Sequence, residues 1–254
     1  MRPLLEEITT THTPESLVDH LHGEPAVVLL RSALFDSPQA RYSFVVARPF
    51  LTLRSSGSRC ELTEGGESRS QFGDPWHVLD QLMARYELLD ELDLPFPLGG
   101  CFGYWGYDLK NFVEPKLTRR AVNDLELPDC HVGFYGSLVV FDHRLEKTWI
   151  ISTGLRADGS RDAGHARRQL EWWQQALNSE HAATASSVTD SQVGIAPDSN
   201  LGRAEFISIV QRAQQYIRAG DIYQVNLAQR LSAPAPCGPW EFFLRLSAVS
   251  PAPF

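Results

Sequence analysis

The chain has 254 residues, of which 43% are hydrophobic, 10% aromatic and 21% charged. This profile is typical of a globular protein with a sizeable core, so a disordered or fibrous chain is excluded. The 31 acidic and 23 basic side chains give a formal net charge of -8, which would repel a phosphate backbone and excludes nucleic acid as a partner. The longest apolar stretches are far shorter than the roughly 20 residues of a membrane-spanning helix, so no membrane partner is expected.

The N-terminal residues and the cysteines indicate the compartment. Residues 1–13 contain an acidic Glu6-Glu7 pair and lack both an apolar segment and a small-residue cleavage site, which predicts a cytoplasmic protein. The cysteines are scattered at intervals of tens of residues, without a C-x-x-C motif or a histidine at metal-ligand spacing. We therefore expect reduced thiols, and no zinc or redox site, at Cys60, Cys101, Cys130 and Cys237.

One helix and three strands are predicted near the N-terminus. Thr13 followed by Pro14 is a typical helix start, with a hydroxyl cap and a proline at the first helical position. Short apolar or alternating runs predict strands at 26–31, 42–47 and 50–54, and the turn residues of 55–66 predict a loop.

A second helix and further β segments follow. An apolar stripe at helical spacing follows Asp74-Pro75 and predicts a helix whose core face consists of Trp76, Leu79, Met83 and Tyr86. Residues 98–108 read L-G-G-C-F-G-Y-W-G-Y-D, which indicates a strand that another backbone approaches closely. The runs 131–142 and 147–153, joined at 143–146, predict a hairpin. Locally paired strands favour antiparallel sheets and an α+β fold with helices packed outside.

The remaining chain divides into a helix, a linker and a second region. An apolar stripe predicts a helix at 161–177. Residues 178–200 are rich in Ser, Thr, Ala and Asp without periodicity and are interpreted as a linker between regions 1–177 and 201–254. In the second region we predict a helix that ends at Gly220, a strand at 222–231 and a helix at 240–248.

Three separate stretches resemble the large, chorismate-using subunit shared by anthranilate synthase and aminodeoxychorismate synthase. They are V-V-L-L-R-S at 27–32 followed by A-R-Y-S-F at 40–44, the glycine-rich segment at 98–108, and Y-I-R-A-G-D-I-Y-Q-V-N-L-A-Q-R-L at 216–231. The last stretch is the most specific. Its Q-V-N-L-A-Q-R form is more similar to component I of aminodeoxychorismate synthase than to anthranilate synthase. The resemblance covers nearly all of this chain but only about the first half of such a subunit.

The resemblance implies an α+β fold of antiparallel sheets and a role in the amination of chorismate. The whole subunit would convert chorismate and ammonia to 4-amino-4-deoxychorismate, on the way to 4-aminobenzoate and folate. It would receive ammonia from a glutamine amidotransferase partner and would use Mg²⁺ to hold the substrate carboxylate. The family's substrate and Mg²⁺ segments correspond to sequence downstream of the P-A-P-F at 251–254, so no catalytic or metal residue is assigned. We therefore expect the 254-residue chain by itself to be inactive.

The resemblance also implies a pocket for L-tryptophan. Its matching positions here are Leu30, Ser32, Arg41, Tyr42, Pro253 and Phe254. A small hydroxyl can bind an amino-acid head group, an arginine its carboxylate, and proline with aromatic rings an indole. Arg31 departs from the family pattern, because anthranilate synthases have glutamate in the corresponding L-L-E-S motif. The alternative interpretation is that Arg41 is a surface ion-pair residue and Ser32 a strand hydroxyl.

Other local candidates are interpreted as structural. We interpret His131 and His143 as structural, because no acid lies at triad or metal spacing from either. Close packing of the backbone is the expected role of Gly99, Gly100, Gly103 and Gly106.

Two alternatives stay open on the sequence alone. The same half-fold is compatible with anthranilate synthase component I, an enzyme of tryptophan synthesis. It is also compatible with a noncatalytic module that binds tryptophan or a partner protein.

Overall fold

The computed structural model describes residues 2–88, 92–117, 123–179 and 196–253. Residue contacts divide the chain into two compact units, one formed by Met1–Ala183 with Ser250–Phe254 and the other by Thr184–Val249. Most of the predicted linker, residues 180–195, lies outside the described residues.

Two five-stranded antiparallel sheets form the frame of the first unit. Its strands are β1 (Leu4–Ile8), β2 (Val28–Leu30), β3 (Tyr42–Val46), β4 (Leu51–Ser56), β5 (Arg59–Glu64), β6 (Glu67–Phe72), β7 (Gly100–Trp105), β8 (Cys130–Tyr135), β9 (Ser137–Asp142) and β10 (Lys147–Ser152). The first sheet has the order β1-β10-β9-β3-β2 and the second sheet the order β6-β5-β4-β8-β7. Every pairing within them is antiparallel, which confirms the predicted fold class.

Strands β8 and β9 are consecutive in the chain but belong to different sheets. The prediction of one β run at 131–142 is therefore corrected by a break at Gly136. The Gly136 carbonyl oxygen accepts hydrogen bonds from the backbone N–H of Thr153 at 2.8 Å and from Thr153 Oγ1 at 2.7 Å. The chain can thus pass from one sheet to the other without leaving this carbonyl unpaired. The predicted hairpin of β9 and β10 is confirmed.

Sequence patterns missed three strands of this frame. β1 pairs with β10 along its whole length, although the N-terminal segment carries no strong strand signal. β5 lies within the segment 55–66, where turn residues predicted a loop, and β6 begins directly after that segment. All six residues of β6 are exposed, so its sequence has no apolar alternation by which it could be recognised.

Helices cover both sheets. They are α1 (Pro14–His20), α2 (Pro75–Arg85), α3 (Lys110–Val113) and α4 (Ala163–Asn178). α1 and α4 share a hydrophobic cluster with the first sheet, in which Trp173 is fully buried. As predicted, Thr13 caps α1, and it forms a capping box with Ser16.

The core face of α2 differs from the predicted one. Of the four predicted core residues, Tyr86 belongs to the cluster on the second sheet and Leu79 packs partly buried against it, whereas Trp76 and Met83 are 37% and 48% exposed. The centre of the buried face is formed by Val78 and Leu82. Two apolar stripes lie about 100° apart on this helix, and both have helical spacing. Only packing against β5 selects between them.

The second unit is a small assembly of two helices and one short β pair. It contains β11 (Asp198–Ser199), α5 (Arg203–Ala219), β12 (Leu231–Ser232) and α6 (Pro239–Val249). Gly220 ends α5 with a φ of 81°, as predicted. The strand prediction at 222–231 is wrong except at Leu231, because residues 222–230 have no neighbouring strand among the described residues.

Two chain-wide properties bear on chemistry. All four cysteines are unpaired, and burial raises the pKa of the Cys101 thiol to about 12 and that of Cys130 to about 11. None of the described helices combines the length and the hydropathy that a bilayer span requires.

Candidate ligand-binding face of the first sheet

Ser32 lies just beyond the end of β2. Hydrogen bonds that involve the Ser32 and Ser43 side chains continue the pairing of β2 with β3 at this point. Its backbone N–H donates to Ser43 Oγ at 3.0 Å, and its own Oγ donates to the Tyr42 carbonyl at 2.6 Å. Ser32 is only 1% exposed. The hydroxyl hydrogen is therefore used within the protein, and the oxygen keeps a lone pair that can accept a hydrogen bond from a ligand ammonium group.

Arg41 is held by a carboxylate from β9, 101 residues away in the chain. Its Nη2 lies 2.8 Å from Asp142 Oδ2, and its Nε lies 3.2 Å from the same oxygen. Its guanidinium also stacks over the Tyr42 ring at 4.7 Å. Asp142 additionally accepts the backbone N–H groups of Arg144 and Leu145. The ion pair matches the alternative interpretation of Arg41, and it also fixes the guanidinium beside Tyr42.

The electrostatics of Asp142 follow from these contacts. Burial by itself raises the pKa of this carboxyl. The hydrogen bond and charge of Arg41, together with the two backbone N–H donors, outweigh that effect and hold the pKa below its usual value. Asp142 is thus a stable anion that organises the end of β9.

Leu30 and Tyr42 belong to the apolar part of this face. Both pack against a cluster that includes Phe44 and Val140, and the Tyr42 ring meets that of Phe96 edge-on at 5.6 Å. The Tyr42 hydroxyl is buried and has no hydrogen-bond partner among the described residues. Burial raises its pKa. An unpaired buried hydroxyl costs free energy, which a ligand acceptor or donor would recover.

Residues 250–253 return to this face from the far end of the chain. The Ala252 carbonyl oxygen accepts hydrogen bonds from the backbone N–H of Ala33 at 2.9 Å and of Leu34 at 3.0 Å. Pro253 follows immediately and is exposed, whereas Phe254 lies outside the described residues. Five of the six residues predicted for a tryptophan pocket are therefore on neighbouring segments.

Sequence reasoning missed the two residues at the end of β9, Asp142 and His143, as organisers of this face. His143 Nε2 lies 2.7 Å from Ser43 Oγ, and its backbone N–H donates to the Arg41 carbonyl at 2.9 Å. Burial lowers the pKa of His143. Asp142 and His143 thus hold Arg41, which precedes β3, and Ser43 within β3. The only local signal for these two residues was Asp142, an acid at the end of the otherwise apolar strand β9.

The glycine-rich strand β7 is explained by its neighbour β8. A Cβ at Gly99 would lie 2.6 Å from the Tyr135 carbonyl oxygen, one at Gly106 would lie 2.8 Å from that of Asp129, and one at Gly103 would overlap the His131 carbonyl. This close approach confirms packing as the role of these three positions. At Gly100 the nearest atom would be a Phe102 ring carbon at 3.7 Å, so its positive φ of 148° is the stronger requirement for glycine.

The described parts of the chain do not offer a metal site. Within residues 2–88, 92–117, 123–179 and 196–253, no group of three or more His, Cys, Asp or Glu side chains could hold a metal ion. These residues therefore do not fit the Mg²⁺ ion that the resemblance implies.

Fold and site together define an α+β protein built on two antiparallel sheets, with a polar candidate site at the edge of the first sheet. The chain belongs to the chorismate binding enzyme family, which matches residues 30–254.

Its relatives include both synthases named above. It is 33% identical over 241 residues to aminodeoxychorismate synthase component 1 from Escherichia coli (strain K12), covering 94% of this chain and 48% of the relative. It is 30% identical over 262 residues to anthranilate synthase component 1 from Acetivibrio thermocellus, covering 98% and 52%. The chain spans about half the length of these curated relatives.

A solved structure shares the fold. The crystal structure of anthranilate synthase component I from Streptococcus pneumoniae TIGR4 aligns with a TM-score of 0.68 and 25% identity, over 98% of this chain and 54% of that chain.

Proposed function

We propose that the chain is the N-terminal part of an aminodeoxychorismate synthase component I. The observation that carries the proposal is the 33% identity to the Escherichia coli enzyme across 94% of this chain. The Q-V-N-L-A-Q-R segment at 224–230 supports the same assignment. The whole subunit would replace the 4-hydroxyl of chorismate by an amino group, releasing water and forming 4-amino-4-deoxychorismate for 4-aminobenzoate and folate synthesis.

The proposal includes a partner, a metal and a compartment. A glutamine amidotransferase subunit would supply ammonia, as the name "component 1" of the relatives suggests. Mg²⁺ would neutralise substrate charge, and its ligands would lie outside the residues described above. Unpaired cysteines support a cytoplasmic location.

The product of the complete subunit tests this assignment. The subunit supplied with chorismate, ammonia and Mg²⁺ should form 4-amino-4-deoxychorismate, whereas the 254-residue chain alone should form no product. Chromatography of the reaction mixture separates the candidates. Anthranilate as the product would replace the assignment by anthranilate synthase component I, to which the 30% identity of a second relative also points. Amination by the 254-residue chain alone would contradict the proposal that this chain lacks the catalytic residues of the subunit.

We further propose that the face formed by Ser32, Arg41, Tyr42 and Pro253 binds L-tryptophan. The two hydrogen bonds to the Ala252 carbonyl favour this function, because they bring 250–253 beside the end of β2. Ser32 Oγ would accept a hydrogen bond from the ligand ammonium group, Arg41 would donate to its carboxylate, and Tyr42 with Pro253 would border the indole. Tryptophan binding without amination in any form of the protein would favour the noncatalytic module instead.

Calorimetric titration of L-tryptophan tests this site. Arg41→Ala should weaken binding by about tenfold or more, because a charged hydrogen bond contributes about 1.5–3 kcal/mol. Arg54→Ala is the matched control, since Arg54 is an exposed arginine on β4 of the second sheet. Equal binding heats for the wild type and Arg41→Ala would mean that the guanidinium serves only Asp142.

A further inference from the structure

The first unit contains a second polar cleft that the proposed function does not use. It has a volume of about 520 Å³ and lies between the start of α1, the end of β2 and the β9–β10 hairpin. Its lining includes Glu15, Arg31, Phe35, Phe141 and His143. None of the residues assigned to tryptophan lines it. Phe141 packs in the cluster beneath α1 and α4, whereas Leu30 and Tyr42 pack against a different cluster.

Arg31 presents unused hydrogen-bond donors in this cleft. Its Nε donates to the carboxylate of Glu15, and its Nη1 is buried without a partner among the described residues. Nη2 likewise makes no hydrogen bond to the part of the chain that the structure describes. The outer edge of the guanidinium, formed by Nη1 and Nη2, therefore has no acceptor among the described residues, and such an edge can bind the two oxygens of a carboxylate side by side.

The imidazole of His143 is a second polar group of the cleft and lies beside the ring of Phe35. Its Nε2 lies 2.7 Å from Ser43 Oγ, while its Nδ1 has no hydrogen-bond partner within the described ranges. In the tautomer in which Nε2 accepts from the Ser43 hydroxyl, Nδ1 carries the ring hydrogen and can donate it to a ligand. The Phe35 ring lies 4.8 Å from the His143 ring, measured between centroids, and is 58% exposed. An exposed aromatic ring next to the unpaired guanidinium edge of Arg31 and an imidazole nitrogen without a partner is suited to a flat ligand that carries an anionic group.

The remaining charges of the cleft limit what it can bind. Glu15 already neutralises Arg31, Asp142 is paired with Arg41, and Lys147 with Glu7. Glu146 is the acid at the rim without a basic partner in the described chain. A ligand with several negative charges would be repelled by Glu146, which favours a single carboxylate.

We propose that this cleft is a binding site for a small aromatic monocarboxylate. The carboxylate accepts hydrogen bonds from Arg31 and from His143 Nδ1, and the ring lies against Phe35 and Phe141. Binding is noncovalent. The proposal does not rest on the proposed function, because it uses none of the residues assigned to chorismate amination or to tryptophan.

An NMR titration of the intact 254-residue chain with benzoate tests the site, at constant ionic strength and with benzamide as the neutral probe of the same shape. Benzoate should cause saturable shifts confined to the signals of Arg31 Nε, Phe35 and His143. Benzamide should bind about tenfold more weakly or not at all, because it lacks the charge that Arg31 recognises.

Variants separate recognition from loss of structure. Arg31→Lys keeps a cation beside Glu15 but loses the paired N–H donors of the guanidinium. His143→Gln removes the imidazole and its Nδ1. Each variant should weaken benzoate binding by about tenfold. Glu146→Gln should strengthen it, and Arg54→Gln should leave it unchanged. Benzoate shifts that fail to saturate, equal affinity for benzamide, or binding unaffected by Arg31→Lys would overturn the proposal. Ser32→Ala, which alters the tryptophan face, should leave benzoate binding intact, so failure of one site does not imply failure of the other.

Discussion

The two compact units of this chain differ in whether they contain a core. The first unit has three hydrophobic clusters built on its two sheets, whereas none of residues 196–249 in the second unit is buried. Helices α5 and α6 are nevertheless amphipathic, with Ile207, Ile217, Phe242 and Leu246 each 43–51% exposed. An amphipathic pattern is therefore sufficient to predict a helix, but the stability of that helix depends on what covers its apolar face.

Amide hydrogen exchange should show the largest difference between the units. Amides of β9, which is paired on both sides, should exchange only through global unfolding, whereas those of α6 should exchange through local opening. We expect protection in β9 to exceed that in α6 by about a thousandfold or more. Peptide-resolved mass spectrometry measures both in one experiment. Similar protection of the amides in β9 and α6 would contradict the conclusion that only the first unit contains a core.

A matched pair of aromatic substitutions should show the next largest effect. Trp173 is fully buried, and its Nε1 donates to Ser137 Oγ at 3.0 Å, so Trp173→Ala should lower the free energy of unfolding by about 3–5 kcal/mol. Phe242→Ala, at a 47% exposed position on α6, should change it by no more than about 0.5 kcal/mol. Urea denaturation followed by circular dichroism measures both. A large loss for Phe242→Ala would indicate that the second unit is covered in solution.

Removing one buried and one exposed ion pair should give the smallest difference in the free energy of unfolding. Asp142→Asn should cost about 1–3 kcal/mol at pH 7, because the buried carboxylate accepts charged and backbone hydrogen bonds. Glu241→Gln, which removes the exposed pair with Arg245 on α6, should cost at most about 0.5 kcal/mol.

The pH dependence sharpens the assignment to Asp142. Its pKa is lowered in the folded protein, so its contribution is complete above the pKa of the unfolded chain, near 4. It is lost as the pH falls through the lower folded value. The wild type and Asp142→Asn should therefore converge in stability at strongly acidic pH. A constant difference between them down to pH 2 would mean that Asp142 acts through packing and not through its charge.

Residues of the candidate tryptophan site could be predicted from the sequence where they lie close together in the chain, and not where they lie far apart. Leu30, Ser32, Arg41 and Tyr42 lie within thirteen residues and were grouped by resemblance, and the structure places them on two adjacent segments. Asp142 and His143 lie about one hundred residues further along. No local pattern connects them to Arg41 and Ser43, and only the pairing of β3 with β9 does so.

The sequence by itself determined the antiparallel α+β class, most helix boundaries and the end of α5 at Gly220, because periodicity, caps and glycine act over a few residues. Tertiary structure decided which stripe of α2 is buried, where β8 passes into β9, and that the apparent strand at 222–231 is mostly irregular. The physical reason is the same in each case. A strand needs a partner and an apolar stripe needs a surface to cover it, and both are supplied by parts of the chain that local sequence does not reveal.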